Sequence, residues 1–138
     1  MDRDDLQPGM ERRLELIDDL SRTQIVQYAG ASGDFNPIHT DEPFATQVSG
    51  YPTVMGHGML TMGMSARLFT DWFGDGQLVD LGARFIGQVW PGDTLTAVAT
   101  IVGTRETDEG WMVDARLVTT NQNGLDVLSA TASARLAH

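Results

Sequence analysis

The chain has 138 residues, a formal net charge of −10, 41% hydrophobic residues and no cysteine. That length reads as one domain spanning 1–138, and that apolar fraction supports a real core rather than disorder. The missing cysteines exclude disulfides and thiolate chemistry, the acidity disfavours nucleic acid, and no stretch approaches the roughly 18 apolar residues of a membrane span.

The chain opens on MDRDDLQPGMERR, charged and with no apolar run behind it. It does not read as a secretory signal, so a soluble, cytoplasmic protein is expected. Residues 11–18 alternate weakly and predict a first strand. Ser21-Arg22-Thr23-Gln24 matches a capping box, which predicts a helix running through IVQYAGA and ending at Gly33. Thr40 or Asp41 can cap a second short helix through EPFATQV, with Pro43 in its first turn where the missing N–H does no harm. SGYPTV reads as loop.

Residues 56–73, GHGMLTMGMSARLFTDWF, are apolar around most of a helical circumference, which predicts a buried central helix. Gly63, Ser65 and Ala66 are small enough to let another element approach closely. Beyond it the period changes to two, with strands expected around 77–89, 93–105, 110–121 and 124–136. Breaks fall at Trp90-Pro91-Gly92-Asp93, at Asp108-Glu109-Gly110 and at Asn123-Gly124, the last a hairpin signal. One buried helix and one long antiparallel sheet make an α+β fold in which the sheet wraps the helix. A single curved sheet leaves edges uncovered, and edge-to-edge dimerisation is the natural remedy.

Two short stretches carry candidate chemistry. GDFNPIHTDEPFA, residues 33–45, packs Asp34, Asn36, His39 and Asp41 between two prolines, and the chain has only three histidines. A carboxylate and an imidazole are common acid–base groups near neutral pH, and proline lowers the entropy lost in fixing them. The same residues also suit a turn, because Asp and Asn cap helices and Asn-Pro starts turns. Gly56-His57-Gly58-Met59 opens the central helix. Free N–H groups and the positive dipole end there suit an oxyanion, and glycine permits close approach. A plain glycine-rich helix start, with His57 capping or packing, is the alternative. The nearby methionines at 55, 59, 62 and 64 serve as core filler or as the lining of an apolar pocket.

Together, YAGASGDFNPIHTDEPFA and GHGMLTMGM resemble the MaoC-like (R)-specific enoyl-CoA hydratases and (3R)-hydroxyacyl-thioester dehydratases of the hot-dog fold, among them actinobacterial dehydratase subunits. The resemblance runs from about Tyr28 to Phe73. It implies reversible hydration of trans-2-enoyl thioesters, with Asp34 and His39 as the acid–base dyad around one water, Asn36 supporting the dyad and the Gly58 N–H binding the thioester oxygen. It implies substrate contacts from His57, Met59, Met55, Phe44 and Arg84. Some relatives carry a serine further along the central helix, and here Ala66 falls at that place with Ser65 beside it. No metal and no separate cofactor are implied, since coenzyme A is part of the substrate. A homodimer or a higher oligomer built from dimers is expected, and coenzyme A is favoured over an acidic carrier protein because like charges repel. Arg84, Arg67 and Arg116 are the candidates for the carrier's phosphates, with a structural role for Arg67 the alternative. The other functional readings are a hot-dog acyl-thioester hydrolase and a subunit of a heterodimeric acyl dehydratase acting on carrier-protein substrates.

Overall fold

In the computed structural model, residues 5–137 are described. The first strand, β1 (Glu11–Ile17), sits where the weak alternation places it. Helix α1 (Arg22–Ser32) carries the expected capping box: Ser21 Oγ accepts from the Gln24 N–H, and Gln24 Oε1 accepts from the Ser21 N–H. Such a cap is worth about 1 kcal/mol. Gly33 closes α1 in the left-handed region at φ 76°, donating its N–H to the carbonyl of Ala29.

Between α1 and the central helix the chain is more ordered than its prolines suggest. Residues 37–40 form a short helix, α2 (Pro37–Thr40), N-capped by Asn36, where an irregular segment was expected. Pro37 occupies its first position, which needs no N–H donor. A single π-helical turn, Phe44–Val48, follows. The Asp41 carboxylate accepts from the Phe44 N–H at its start, 3.3 Å away.

Helix α3 (Gly58–Phe73) begins two residues later than the sequence suggests. Its inner face buries Thr61, Ser65, Leu68, Phe69, Trp72 and Phe73. It is not buried all round: Met59, Gly63, Arg67 and Asp71, four residues apart, form an exposed stripe. One sheet covers one side of one helix, and no described residue covers the exposed stripe on the other. Arg67 is exposed and ties the helix to β1, its guanidinium donating to the carbonyl of Leu16 at 3.2 Å. That is the structural role, met by a carbonyl rather than an acid.

The strands β2 (Leu78–Phe85), β3 (Leu95–Thr107), β4 (Gly110–Thr120) and β5 (Asp126–Leu136) complete an antiparallel five-stranded sheet in the order β1-β3-β4-β5-β2. The alternation predicts which face is inward. Ala97, Ala99 and Ile101 of β3, Val113, Ala115 and Leu117 of β4, and Leu128, Ala130, Ala132 and Ala134 of β5 are buried and join one core with α3. The small alanines let α3 lie close, and Phe69 fills the space, worth about 1.5–3 kcal/mol for a fully buried large side chain. The strand expected over 77–89 stops at Phe85, and residues 86–93 leave the ladder. The Asn123-Gly124 pair does not make a two-residue hairpin. The connection is longer, with Asn121 Oδ1 accepting from the N–H groups of Asn123 and Leu125.

Gly110 closes the β3–β4 hairpin at φ 140°, and a Cβ there would lie 2.5 Å from the carbonyl oxygen of Leu136. Gly110→Ala therefore combines a disallowed backbone with a backbone clash. The expected loss is about 2 kcal/mol of unfolding free energy, read from urea titration followed by circular dichroism.

Candidate active site

Asp34, Asn36 and His39 are brought together by a ladder of local bonds. The Asp34 N–H donates to Ser32 Oγ, Asp34 Oδ1 accepts from the Asn36 N–H at 3.2 Å, and Asn36 Oδ1 accepts from the Ile38 N–H at 3.1 Å. The side chain of Asn36 is thus spent on capping α2, and it supports His39 through the backbone of that turn. The local bonds use only Asp34 Oδ1, and Asp34 Oδ2 remains directed at His39.

His39 is buried, while the Asp34 side chain is half exposed. His39 Nδ1 lies 2.5 Å from the carbonyl oxygen of Met55. A carbonyl only accepts, so Nδ1 carries the proton and Nε2 is left bare. That bare nitrogen stands 3.8 Å from Asp34 Oδ2, too far for a strong direct hydrogen bond and the right span for one shared oxygen atom. Met55 is itself braced, its N–H donating to the carbonyl of Ile38 at 2.9 Å. Gly56 continues the brace, donating to the carbonyl of Val89 at 2.7 Å. A Cβ on Gly56 would lie 3.3 Å from that same carbonyl oxygen, so glycine permits the approach.

The loop leading into Met55 is tied to the π turn. Glu42 Oε2 accepts from the Arg22 guanidinium, from Thr53 Oγ1 at 3.1 Å and from the Val54 N–H. The Arg22 hydrogen bond, then that from Thr53, holds the Glu42 carboxyl below its usual range. These groups are exposed, so the cluster orders a loop more than it stabilises the fold.

His57 precedes α3 and is buried behind His39, away from solvent. Its ring stacks on that of His39 with centroids 3.7 Å apart and planes 20° apart, and Tyr28 meets it edge-on at 4.9 Å. His57 Nε2 donates to the carbonyl oxygen of Asp34 at 3.1 Å. Burial pushes the His57 imidazole below its ordinary value, and the neighbouring His39 adds to this; the Asp34 carbonyl partly offsets it. Asp34, His39 and His57 bring three ligand-type atoms within 4.8 Å of one another. The near-parallel stack nevertheless points the two ring lone pairs along parallel planes, which do not converge on one ion.

Gly58 is the first residue of α3, and no side chain caps that helix. Its N–H is among those that an α-helix leaves without an internal partner. Beside it lies a cavity of about 410 Å³ lined by Met55, Gly56, Gly58, Thr61, Phe85, Ile86, Val89 and Val127 among others. The ring of Phe85 covers Gly58 so closely that a Cβ on the glycine would sit 3.1 Å from three ring atoms. Met55 joins the two halves of the site: its carbonyl holds His39 and the residue borders the cavity.

Of the residues read from sequence, Asp34, Asn36, His39, Met55, His57 and Gly58 come together. Of all these, Met55 and Gly58 line the cavity; Asp34, Asn36, His39, His57, Phe44, Met59 and Arg84 do not. Phe44 lies half buried in the π turn, and Met59 lies on the exposed stripe of α3. Arg84 points to the outer face of the sheet, where with Arg116 it borders a shallow groove that also holds Ser129 and Thr131. Phe85, Ile86, Val89 and Val127 were not found from sequence. Their signal was the early end of β2: an exposed Phe-Ile pair running into glycine.

The profile of the MaoC like domain matches residues 5–123. The chain belongs to the MaoC-like family. It is 41% identical over 70 residues to 3-hydroxyacyl-thioester dehydratase Y of Mycobacterium tuberculosis, a match covering 49% of this chain and 24% of that protein. To the (R)-specific enoyl-CoA hydratase of Rhodospirillum rubrum it is 40% identical over 86 residues, covering 61% of this chain and 59% of that one. The matched region is thus well under two thirds of either relative's length. The solved (R)-hydratase from A. caviae, involved in PHA biosynthesis, superposes with a TM-score of 0.83 at 26% identity, covering 95% of this MaoC-like chain and 97% of that chain. The sheet wrapped on α3 is therefore the hot-dog fold expected. No helix among the described residues is long and apolar enough to cross a membrane.

The His57 environment sets a pH dependence. A histidine held neutral in the fold but free to take a proton when unfolded, near its ordinary 6.5, makes the unfolded state bind more protons in acid. Stability then rises with pH through the window from the depressed folded value up to 6.5, and is lost on acidification through it. The melting temperature is expected to fall as pH drops below 6.5, and His57→Phe, which has no titrating ring, is expected to flatten that slope.

Proposed function

We propose that this MaoC-like chain hydrates trans-2-enoyl thioesters reversibly to (3R)-hydroxyacyl thioesters, with Asp34 and His39 as its acid–base pair. The observation that carries this reading is the hydrogen bond from His39 Nδ1 to the Met55 carbonyl, which leaves a bare Nε2 facing Asp34 Oδ2 across 3.8 Å. A water held in that gap loses a proton to Nε2 as its oxygen bonds to C3. Protonated Asp34 gives its proton to C2 on the same face, and the His39 imidazolium then returns a proton to Asp34 across the gap. Dehydration reverses each transfer. Negative charge grows on the thioester oxygen during the addition, and the Gly58 N–H at the positive end of α3 would receive it. These steps use no metal and no separate cofactor; coenzyme A enters as part of the substrate.

The cavity walled by Phe85, Ile86, Val89 and Val127 suits an acyl chain. Arg84 is one residue from Phe85 but on the opposite face of edge strand β2, so a carrier arm leaving past Phe85 reaches it by rounding that edge. Arg84 and Arg116 would there meet the phosphates, whose charge suits two guanidinium groups near each other. The exposed Val79, Phe85 and Ile86 along the β2 end, and Met59 on α3, are the surface a second copy would cover, giving a dimer.

The test is loss of the enoyl absorbance of crotonyl-CoA. Wild type is expected to be active, and Asp34→Asn and His39→Ala are each expected to lose about 10²–10⁴-fold in kcat while keeping a native circular dichroism spectrum. Activity in both variants equal to wild type, or an inert wild type on short and long enoyl-CoA alike, overturns the reading.

A second comparison isolates the oxyanion donor. His57 has φ −63° and ψ 136°, a conformation that tolerates a following proline, and proline is accepted at the first helical position. Gly58→Pro removes the N–H, whereas Gly58→Ala adds a comparable Cβ against Phe85 and keeps it. The proline variant is expected to fall about 10²–10³-fold below the alanine variant in kcat.

A further inference from the structure

His57 is buried to 2% exposure and touches the whole of the proposed machinery without facing the cavity. Its ring face lies on His39, its Nε2–H holds the backbone of Asp34, and its own peptide unit leads into Gly58. Two ordinary explanations fail. It is not there to cap α3, because its side chain makes no capping bond. It is not there as plain core filler, because its Nδ1 is a buried acceptor with no partner among the described residues. An apolar ring would fill the space with no such cost, so the polar ring calls for another reason.

We propose that His57 is a positioning residue that locks the base to the acid: one edge fixes the Asp34 main chain while one face fixes the plane of His39. The inference rests on the hydratase reading above and deepens it. When His39 accepts a proton, the cation forms flat against a neutral aromatic face rather than against water. That contact favours the imidazolium while keeping its Nε2 aimed at the gap. The groups facing His57 are Tyr28 from α1, Asp34 from the loop and His39 from α2. Burial of His57 in its uncharged form keeps the stack from holding two positive rings.

Two substitutions separate the two contacts. His57→Gln keeps an N–H donor for the Asp34 carbonyl and removes the ring. His57→Phe keeps the ring and removes the donor. Each is expected to lower kcat on crotonyl-CoA by about tenfold to a hundredfold, as small misplacements of reacting groups do, with KM within about threefold. The acidic limb of the kcat/KM profile is expected to move to lower pH in the glutamine variant, where the imidazolium loses its aromatic face, and to move less in the phenylalanine variant. A merely structural role would lower stability and leave the profile in place.

Folded variants with wild-type kcat and an unmoved acidic limb overturn the proposal. Should the variants fail to fold, the histidine ring signals of the wild-type protein decide it by NMR titration. The His57 ring is expected to take its proton only below the ordinary 6.5; protonation of His57 at or above that value overturns the proposal. Wild-type hydration of crotonyl-CoA is measured in the same series. An inert wild type therefore counts against the hydratase reading, whereas an active wild type with insensitive His57 variants counts against this inference alone.

Discussion

The site depends on one hydrogen bond, from the ring of His39 to the carbonyl of Met55. It chooses the tautomer, and the tautomer decides which nitrogen faces Asp34. Its acceptor is main chain, and that main chain is held on both sides: by Ile38 through the Met55 N–H and by Val89 through the Gly56 N–H. Orientation of the His39 ring is thereby made a property of the backbone rather than of one replaceable side chain. The same economy holds for Asp34, whose carboxylate takes one N–H with Oδ1 and keeps Oδ2 for His39. The Asx-type caps of the turn and the facing of Asp34 and His39 are one arrangement here.

The site sets one carboxylate among neutral groups. At a net charge of −10 the protein is strongly acidic, yet His39 faces a single carboxylate, Asp34, with a neutral imidazole on its ring face and the Met55 carbonyl at Nδ1. Four described arginines face acids or carbonyls: Arg22 faces Glu42, Arg67 the carbonyl of Leu16, Arg105 Asp114 and Arg135 Glu109. Arg84 and Arg116 instead border one groove on the outer sheet face. A local positive spot on an acidic surface concentrates anions only at short range, because the Debye length is about 8 Å at physiological salt.

Much of this was legible in the sequence where one residue type meets one backbone need. The Ser21 and Gln24 box, the turn at Gly33, the period-two strands and the Asp34–His39 spacing follow from local rules. The rest depends on where elements land. Asn36-Pro37 is as good a helix start as it is a turn, and only the bond between His39 and Met55, distant in sequence, favours the helical reading. That α3 keeps an exposed stripe reflects how little of a helix one sheet can cover. Whether Arg84 or Phe85 faces the cavity is a matter of strand parity, and the register shift between Leu78 and Asp80 makes that parity unreadable in advance. The cavity wall at Ile86 and Gly87 is held by bonds to Val127, forty residues away, for which no local pattern exists.

That last contact has a consequence for how the protein comes into being. β2 follows α3 directly, yet it pairs with β5, the last of the described strands, and Val127 of β5 both anchors Ile86 and lines the cavity. During synthesis Asp34, His39 and Gly58 all emerge from the ribosome well before that strand does. The nascent chain therefore holds these residues without one wall of the cavity, and that wall is completed only when β5 slots between β4 and β2. Pairing of this range is slow to find. An edge left open in the interval is a place for another unfinished chain to bind, so the order of the strands sets a window of vulnerability to aggregation that the finished fold no longer shows.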